Sequence, residues 1–260
     1  MPDTPELVVV VAPPVTTITI NRPEKRNALT LGLWAELGAA VEELDHDADV
    51  AVIILTGAGD AFCAGFDLSD LSTEDDASRA RRMSQQARHV GMLPPHDTPV
   101  IAAVNGPAIT GGLELALSCD IVVASAAARF ADTHAKVGAV PGGGLTITLP
   151  RRIGPGRARL LSLTGDIIDA DTALAWGLAD EVVDPDNLLE RCGEIATSIA
   201  AKPPGVVAAI RQLYARNADR SDETAFAEEQ ATSRAWMAEQ FDRRRLAKER
   251  TAIIDEGAGR

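Results

Sequence analysis

Short apolar runs separated by polar and glycine-containing breaks organise the first two thirds of the chain. Residues 6–12 and 15–20 are rich in Val, Ile and Thr and flank the pair Pro13-Pro14, which predicts two strands in a hairpin-like arrangement, both buried. Thr30 then offers a cap for a helix reaching about residue 46, because Leu33, Leu37, Ala40, Val41 and Leu44 recur at helical spacing. The following run VAVIILTG reads as a buried strand ending at Gly57, completing a strand–helix–strand unit. After the loop GAGDAFCAGFDLSD, a polar helix is expected over roughly residues 74–91, and PVIAAVNG repeats the pattern of a strand running into a glycine. GPAITGGLELALSCD predicts a loop turning into a short apolar helix over residues 111–118, and IVVAS another strand. Asp169 caps the helix in ADTALAWGLAD, Gly177 ends it, and EVVD adds a short strand.

Alternation of strands with helices up to about residue 185 predicts an α/β layered core. Beyond Pro185 the pattern is helical only, over residues 187–201, 204–217 and 221–254, the last strongly charged around FDRRRLAKER. The expected division is a core over residues 1–195 and a C-terminal helical segment over 196–260, with no low-complexity linker and no repeat of fixed period. Apolar residues in that segment, including Trp236, Met237 and Phe241, exceed what a thin appendage needs for itself and point to a neighbouring subunit.

Composition narrows the function classes. With 25 Lys and Arg against 38 Asp and Glu, the net charge is −13. A nucleic-acid partner is disfavoured, because affinity for phosphate backbones comes mainly from clustered basic residues. Cys63, Cys119 and Cys192 are odd in number, widely spaced and free of any CxxC, so neither a disulfide framework nor a zinc site is indicated. The opening MPDTPELVVVV is acidic where an export signal is basic, and Glu114 and Asp120 interrupt the most apolar region, leaving no run of about eighteen apolar residues. A cytoplasmic protein without a membrane partner is expected.

Two strands end in glycine-containing loops, IILTGAGDAFCAGFD and AAVNGPAITGGLE. Side by side in one sheet, their carboxyl ends would open onto one crevice, the place where open α/β sheets bind ligands. Gly111 and Gly112 at a helix start let the backbone approach a ligand and aim N–H groups at it, and the backbone of Phe66 can supply a second donor; two such donors form an oxyanion hole. Tight-turn glycines are the simpler reading of a glycine pair alone. Glu114 shifts the balance, because a carboxylate among Leu113, Leu115, Ala116 and Leu117 is poorly solvated and its pKa is pushed upward.

Five ordered segments, INRPEKRNAL, GAGDAFCAGFDL, PVIAAVNGPAITGGLELALSCD, ARFADTHAKVGAVPGGG and LTGDIIDADTALAWGLADEVV, make the chain resemble the enoyl-CoA hydratase/isomerase, or crotonase, superfamily over nearly its whole length. The resemblance implies an α/β fold, a spiral of ββα units with a C-terminal helical trimerisation segment, an acyl-CoA thioester as substrate, trimers or hexamers, and no metal or redox cofactor. It also implies that the N–H groups of Phe66 and Gly111 hold the thioester oxygen, and that Lys25, Arg26, Ala64, Asp67 and Leu68 contact coenzyme A. Hydratases of this family use two glutamates. The first matches Glu114; aligning Phe130 and Gly138 with the family's F-G-x-P-E-x-x-x-G puts His134 in place of the second.

Hydration needs one group to take a proton from water and another to give one to the α-carbon, and a Glu/His pair can hold one proton between them near neutral pH. Glu114 is expected on the water and His134 on the carbon, with Asp132 orienting the imidazole if the local strand returns to the same face. The competing reading of His134 is a loop histidine, and of Asp132 a solvated or capping side chain. His46, His89 and His96 lack a partner pattern and read as structural, Arg81, Arg82 and Arg88 as a solvated face, and Met83, Met92 and Leu93 as either acyl-tunnel lining or core. Loss of the second glutamate leaves open a non-catalytic acyl-CoA binder, or an isomerase, decarboxylase or thioesterase. A dinucleotide-binding oxidoreductase is disfavoured because TGAGDAF has Phe at the third glycine's place and no helix pattern follows, and serine and zinc hydrolases because G-x-S-x-G and H-E-x-x-H are absent.

Overall fold

The structure, a computed structural model, describes residues 5–67, 69–70, 89–241, 245 and 249–250. Its opening strands β1 (Leu7–Ala12) and β2 (Val15–Ile20) pair antiparallel in the register Leu7↔Ile20 to Ala12↔Val15. Helix α1 (Leu31–Asp45) is capped as its sequence predicts, with Leu33 N donating to Thr30 Oγ1 at 3.0 Å, and it buries Leu33, Trp34, Leu37, Val41 and Leu44. Strand β3 (Val52–Gly57) then lies parallel to β2, and β4 (Val100–Val104) parallel to β3.

From β4 onward a strand–strand–helix unit recurs. β4 is followed by β5 (Pro107–Ile109) and α2 (Gly111–Leu117), then β6 (Ile121–Ser125) by β7 (Arg129–Ala131) and α3 (His134–Val137). The first strand of each unit joins a six-stranded sheet of order β1-β2-β3-β4-β6-β9, and the second joins a three-stranded sheet of order β5-β7-β8, with β8 at Ile167–Asp169 and β9 at Glu181–Val183. This is the expected ββα spiral. Between β7 and β9 run α4 (Leu145–Ile153), α5 (Pro155–Thr164) and α6 (Ala170–Trp176). Asp169 accepts from Thr172 N at 2.9 Å to open α6, and Gly177, at φ 82°, closes it.

The central parallel strands β3, β4 and β6 are predominantly apolar because both faces are covered. Ile53, Leu55, Ala102, Val104, Val122 and Ala124 pack into the main core with α1 and α2. Val52, Ile54, Ile101, Ala103 and Val123 point the other way, as strand alternation requires, onto Leu188, Cys192 and Ala196 of α7 (Leu188–Ala200). By contrast the expectation that both opening strands are buried fails for β1. Val9, Val10 and Val11 are 39%, 55% and 54% exposed, because β1 is an edge strand with a partner on one side only; β-branched residues favour a strand whether or not it is covered.

The chain divides into two compact units, Met1–Val207 and Ala208–Arg260. The second contains most of α8 (Pro204–Asn217) and all of α9 (Asp222–Glu239), joined by ion pairs from Arg216 and Arg220 to Glu228. The helix expected over residues 221–254 closes at Gln240, which caps α9, and much of the charged stretch after it lies outside the described residues. Most of the polar helix expected over residues 74–91, with Met83, Arg81, Arg82 and Arg88, also lies outside them, and residues 89–93 are bends rather than helix.

Candidate active site

Because β3 and β4 are parallel neighbours, their carboxyl ends deliver two loops to the same edge of the sheet. The Asn105 side chain ties those loops together, donating to Gly59 O at 2.8 Å and accepting from Gly57 N at 3.2 Å. Cys63 and Ala108 form a parallel bridge, and Ile109 N donates to Cys63 O at 2.9 Å. A side chain on Gly112 would place Cβ only 1.9 Å from Cys63 O, so that glycine serves the packing of loop on helix rather than ligand contact.

Gly111 is the first residue of α2, where an N–H has no intrahelical acceptor. Phe66 lies in a parallel bridge in which Leu29 N donates to Gly65 O and Asp67 N to Leu29 O at 2.8 Å each. In that geometry the N–H of Phe66 itself points away from Leu29. Neither N–H has a hydrogen-bond partner among the described residues, and the two are neighbours: a Cβ built on Gly111 would lie 3.4 Å from Phe66 N and 3.2 Å from Gly65 Cα. Two neighbouring backbone donors of this kind are able to stabilise a developing oxyanion. The pair is held in place by Thr110, whose φ of 54° is rare for a β-branched residue and is sustained by two contacts to the next spiral turn. Thr110 N donates to Ala131 O at 2.8 Å, and Thr110 Oγ1 lies 2.5 Å from Thr133 Oγ1.

Glu114 stands one turn along α2 and is only 3% exposed. Gly143, in the PGGG segment, donates its N–H to Glu114 Oε1 at 2.9 Å. Burial pushes the Glu114 carboxyl above its ordinary pKa; the His134 charge and the N–H groups of Gly143 and Leu145 oppose that rise, and the negative Asp132 adds to it. His134 therefore sits within electrostatic reach of Glu114. Asp132 is fully buried, and its Oδ1 accepts from His134 N at 3.1 Å and meets His134 Nδ1 at 2.6 Å. Burial alone would raise the Asp132 pKa, but hydrogen bonds from His134 and the Ser162 hydroxyl hold it below the usual value. An ionised carboxylate can only accept, so Nδ1 carries the ring hydrogen and Nε2 is the nitrogen left for chemistry. The pairing arises differently from the strand geometry expected: β7 ends at Ala131, and Asp132 meets His134 across the two-residue span of an Asx turn opening α3.

Lys25 and Arg26 are exposed beside this crevice, and the Arg26 carbonyl accepts from Ala64 N at 3.0 Å, joining the basic pair to the loop that carries Phe66. Asp67 is engaged internally, 3.4 Å from Arg22 and bonded to Ser69. Leu68, the remaining expected coenzyme A contact, lies outside the described residues. Sequence reasoning missed the supports of this loop. Arg22 is a buried cation bonded to Ala28 O and 2.8 Å from Glu6, and Asn27, fully buried at φ 58°, donates to Ala58 O and Ala61 O at 2.9 and 2.6 Å. It also missed Gly143 as the partner of Glu114, although the glycine run that announces such a close approach is visible. Among the described residues no cluster of side chains suits a metal ion, and no helix is long and apolar enough to cross a membrane.

A family profile described as Enoyl-CoA hydratase/isomerase matches residues 12–249. A short-chain-enoyl-CoA hydratase of Clostridium acetobutylicum is 39% identical over 218 residues, 82% of each chain. A 1,2-epoxyphenylacetyl-CoA isomerase of Escherichia coli is 36% identical over 205 residues, 76% of this chain and 77% of that one. The crystal structure of an enoyl-CoA hydratase from Bacillus anthracis superimposes with a TM-score of 0.88 at 33% identity, covering 96% of this chain and 97% of that one.

Proposed function

Since the chain belongs to the enoyl-CoA hydratase/isomerase family, we propose that it is an enoyl-CoA hydratase, adding water to the conjugated double bond of a 2-enoyl-CoA to give a 3-hydroxyacyl-CoA. The observation that carries this reading is the convergence of two backbone N–H groups, at Phe66 and Gly111, that lack a partner among the described residues, with buried Glu114 and the Asp132–His134 pair. The thioester oxygen accepts both N–H groups, so the negative charge that reaches it as water attacks the β-carbon is met by donors already in place. Lys25 and Arg26 supply the local cations that an acidic protein needs to hold the nucleotide phosphates of coenzyme A.

The proton inventory favours a reversal of the roles expected for Glu114 and His134. Burial raises the Glu114 pKa and so suits that carboxyl to donate to the α-carbon. His134, with Nδ1–H given to Asp132, offers Nε2 to the attacking water. One proton taken by the imidazole and one delivered by the carboxyl leave the pair able to reset by a single transfer between them. This chemistry forms a C–O and a C–H bond at the expense of the π bond and one O–H bond of water, with no net oxidation or reduction, and calls for no metal or redox cofactor. The exposed apolar residues of the helical unit, Tyr214, Phe226 and Met237 among them, support assembly into trimers or hexamers.

Incubation with crotonyl-CoA tests the reading. Loss of the ultraviolet absorbance of the conjugated thioester supports it; an unchanged spectrum with enoyl-CoAs of every chain length overturns it. A single carboxylate beside an oxyanion hole also suits double-bond migration, and a relative bearing an isomerase name is among the similar chains. Product mass separates the two, since only hydration adds a water.

A further inference from the structure

Helix α3 is a slight platform for a residue that must meet a water molecule at a fixed distance. It is a single turn, His134–Val137, and buries none of its residues. Val137 and, just beyond the turn, Val140 are 52% and 86% exposed, so neither anchors it in the core, and one turn of helix has little stability of its own. Its attachments are of another kind. The Asp132 turn sets how His134 leaves β7, the Lys136 stem crosses Gly165 at the end of α5, and Thr133, the residue before the helix, bonds to Thr110.

That last contact begins where the backbone ladder stops. β5 and β7 pair in register from Pro107↔Arg129 to Ile109↔Ala131. Thr110 N then donates to Ala131 O at 2.8 Å, Thr133 N donates to Thr110 Oγ1 at 3.1 Å, and the two hydroxyl oxygens lie 2.5 Å apart. Thr110 has φ 54° and ψ −107°, a combination that glycine adopts freely and a β-branched residue does not. Such a conformation persists only where the surroundings over-determine it, and here it brings the hydroxyl onto Thr133. The clasp joins the two halves of the site. Thr110 immediately precedes Gly111, one of the oxyanion donors, and Thr133 lies between Asp132 and His134.

We infer that the Thr110–Thr133 hydroxyl pair is a positioning device, fixing His134 Nε2 relative to the oxyanion donors and so setting where water stands over the β-carbon. The inference rests on the hydratase reading above. A thioester held at Phe66 and Gly111 has its β-carbon at a set distance from Gly111, and the clasp carries that reference across to the α3 turn through one residue on each side. Both threonines act through the imidazole rather than on the substrate.

Steady-state kinetics with crotonyl-CoA, with a thermal melt of each variant, tests it. Misplacing a reacting group by about 1 Å can cost about a hundredfold in rate, so Thr133→Val, which keeps the shape and removes the hydroxyl, is expected to lower kcat about 10- to 100-fold with KM nearly unchanged. Thr133→Ser keeps the hydroxyl and is expected to stay close to the native rate. Thr110→Gly supplies the residue best suited to that backbone, yet is expected to lose as much as Thr133→Val, because the hydroxyl does the positioning. In a His134→Ala background, where no imidazole remains to be placed, adding Thr133→Val is expected to change the residual kcat by less than about twofold. Should Thr133→Val fail to fold, Thr110→Ser against Thr110→Gly makes the same comparison from the other side of the clasp. A loss that the serine variant does not rescue, a Thr110→Gly protein as active as the native one, or an undiminished effect in the His134→Ala background overturns the inference and leaves the hydratase reading intact. Failure of the native protein to hydrate any enoyl-CoA removes that reading and the inference with it.

Discussion

Replacing Glu114 by Gln separates what the buried carboxyl does for chemistry from what it costs the fold. The amide keeps the size of the side chain and a carbonyl oxygen for the Gly143 N–H now 2.9 Å from Oε1, while its NH2 group no longer accepts from the Leu145 N–H. What disappears from the chemistry is the transferable proton. Positioned proton transfer is worth about 10² to 10⁴ in rate, or about 2.7–5.4 kcal/mol of barrier, and turnover of crotonyl-CoA should fall by that factor while the affinity for butyryl-CoA stays within about twofold. Stability should move the opposite way. The Glu114 pKa is raised above its ordinary value of 4.5 by burial, so the folded state holds a proton more tightly than the unfolded state. The carboxyl's contribution is complete below that value and is lost as pH rises through the higher, folded one. At neutral pH Glu114 is therefore a burden, and each pH unit by which its midpoint is raised costs about 1.4 kcal/mol. Thermal melts should show Glu114→Gln matching the native protein below about pH 4.5 and exceeding it increasingly above, by about 2–4 °C per kcal/mol for a chain of this size. A variant that keeps more than a tenth of native turnover, or that is less stable than the native protein at neutral pH, refutes the reasoning.

Asp132→Asn removes a charge-assisted hydrogen bond worth about 1.5–3 kcal/mol and should lower kcat roughly 10- to 150-fold with little change in KM, read from steady-state kinetics. Gly111→Ala puts a methyl 3.4 Å from Phe66 N; loss of an oxyanion donor typically costs about 10² to 10³ in kcat, and the same assay checks it. Lys25→Ala with Arg26→Ala removes two exposed contacts to the nucleotide and should raise KM by up to about thirtyfold at low salt, with the effect shrinking as salt is added. Light scattering should find a multiple of 27.3 kDa in solution; a species of that mass alone contradicts the assembly reading.

The large sheet was legible because its central strands β3, β4 and β6 are predominantly apolar on both faces and are followed by a marked glycine or polar turn. The second sheet was not. β5, β7 and β8 are three residues each, too short for a period of two to register, and exist because neighbouring turns of the spiral hold them together. Helices α4 and α5 were missed for a related reason. Pro150 lies inside one and Gly154-Pro155 joins them, signals that ordinarily end helices. At the site, Glu114 could be recognised from its apolar neighbours, and His134 from its alignment with a glutamate position. The bond between Asp132 and His134 depended on where β7 stops, and Thr110's strained backbone on contacts from a distant turn, so neither could be read from local pattern. The partnership of Gly143 with Glu114 joins residues 29 apart in sequence.

Hydration in isotopically labelled water followed by mass spectrometry of the intact thioester tests the central claim most directly. The account predicts that crotonyl-CoA gains one water, that the label sits on the β-carbon and that no free coenzyme A appears, with the rate abolished in Glu114→Gln and strongly reduced in His134→Ala. Unchanged substrate mass, a product of the same mass with a shifted double bond, or label appearing in a free carboxylic acid contradicts it.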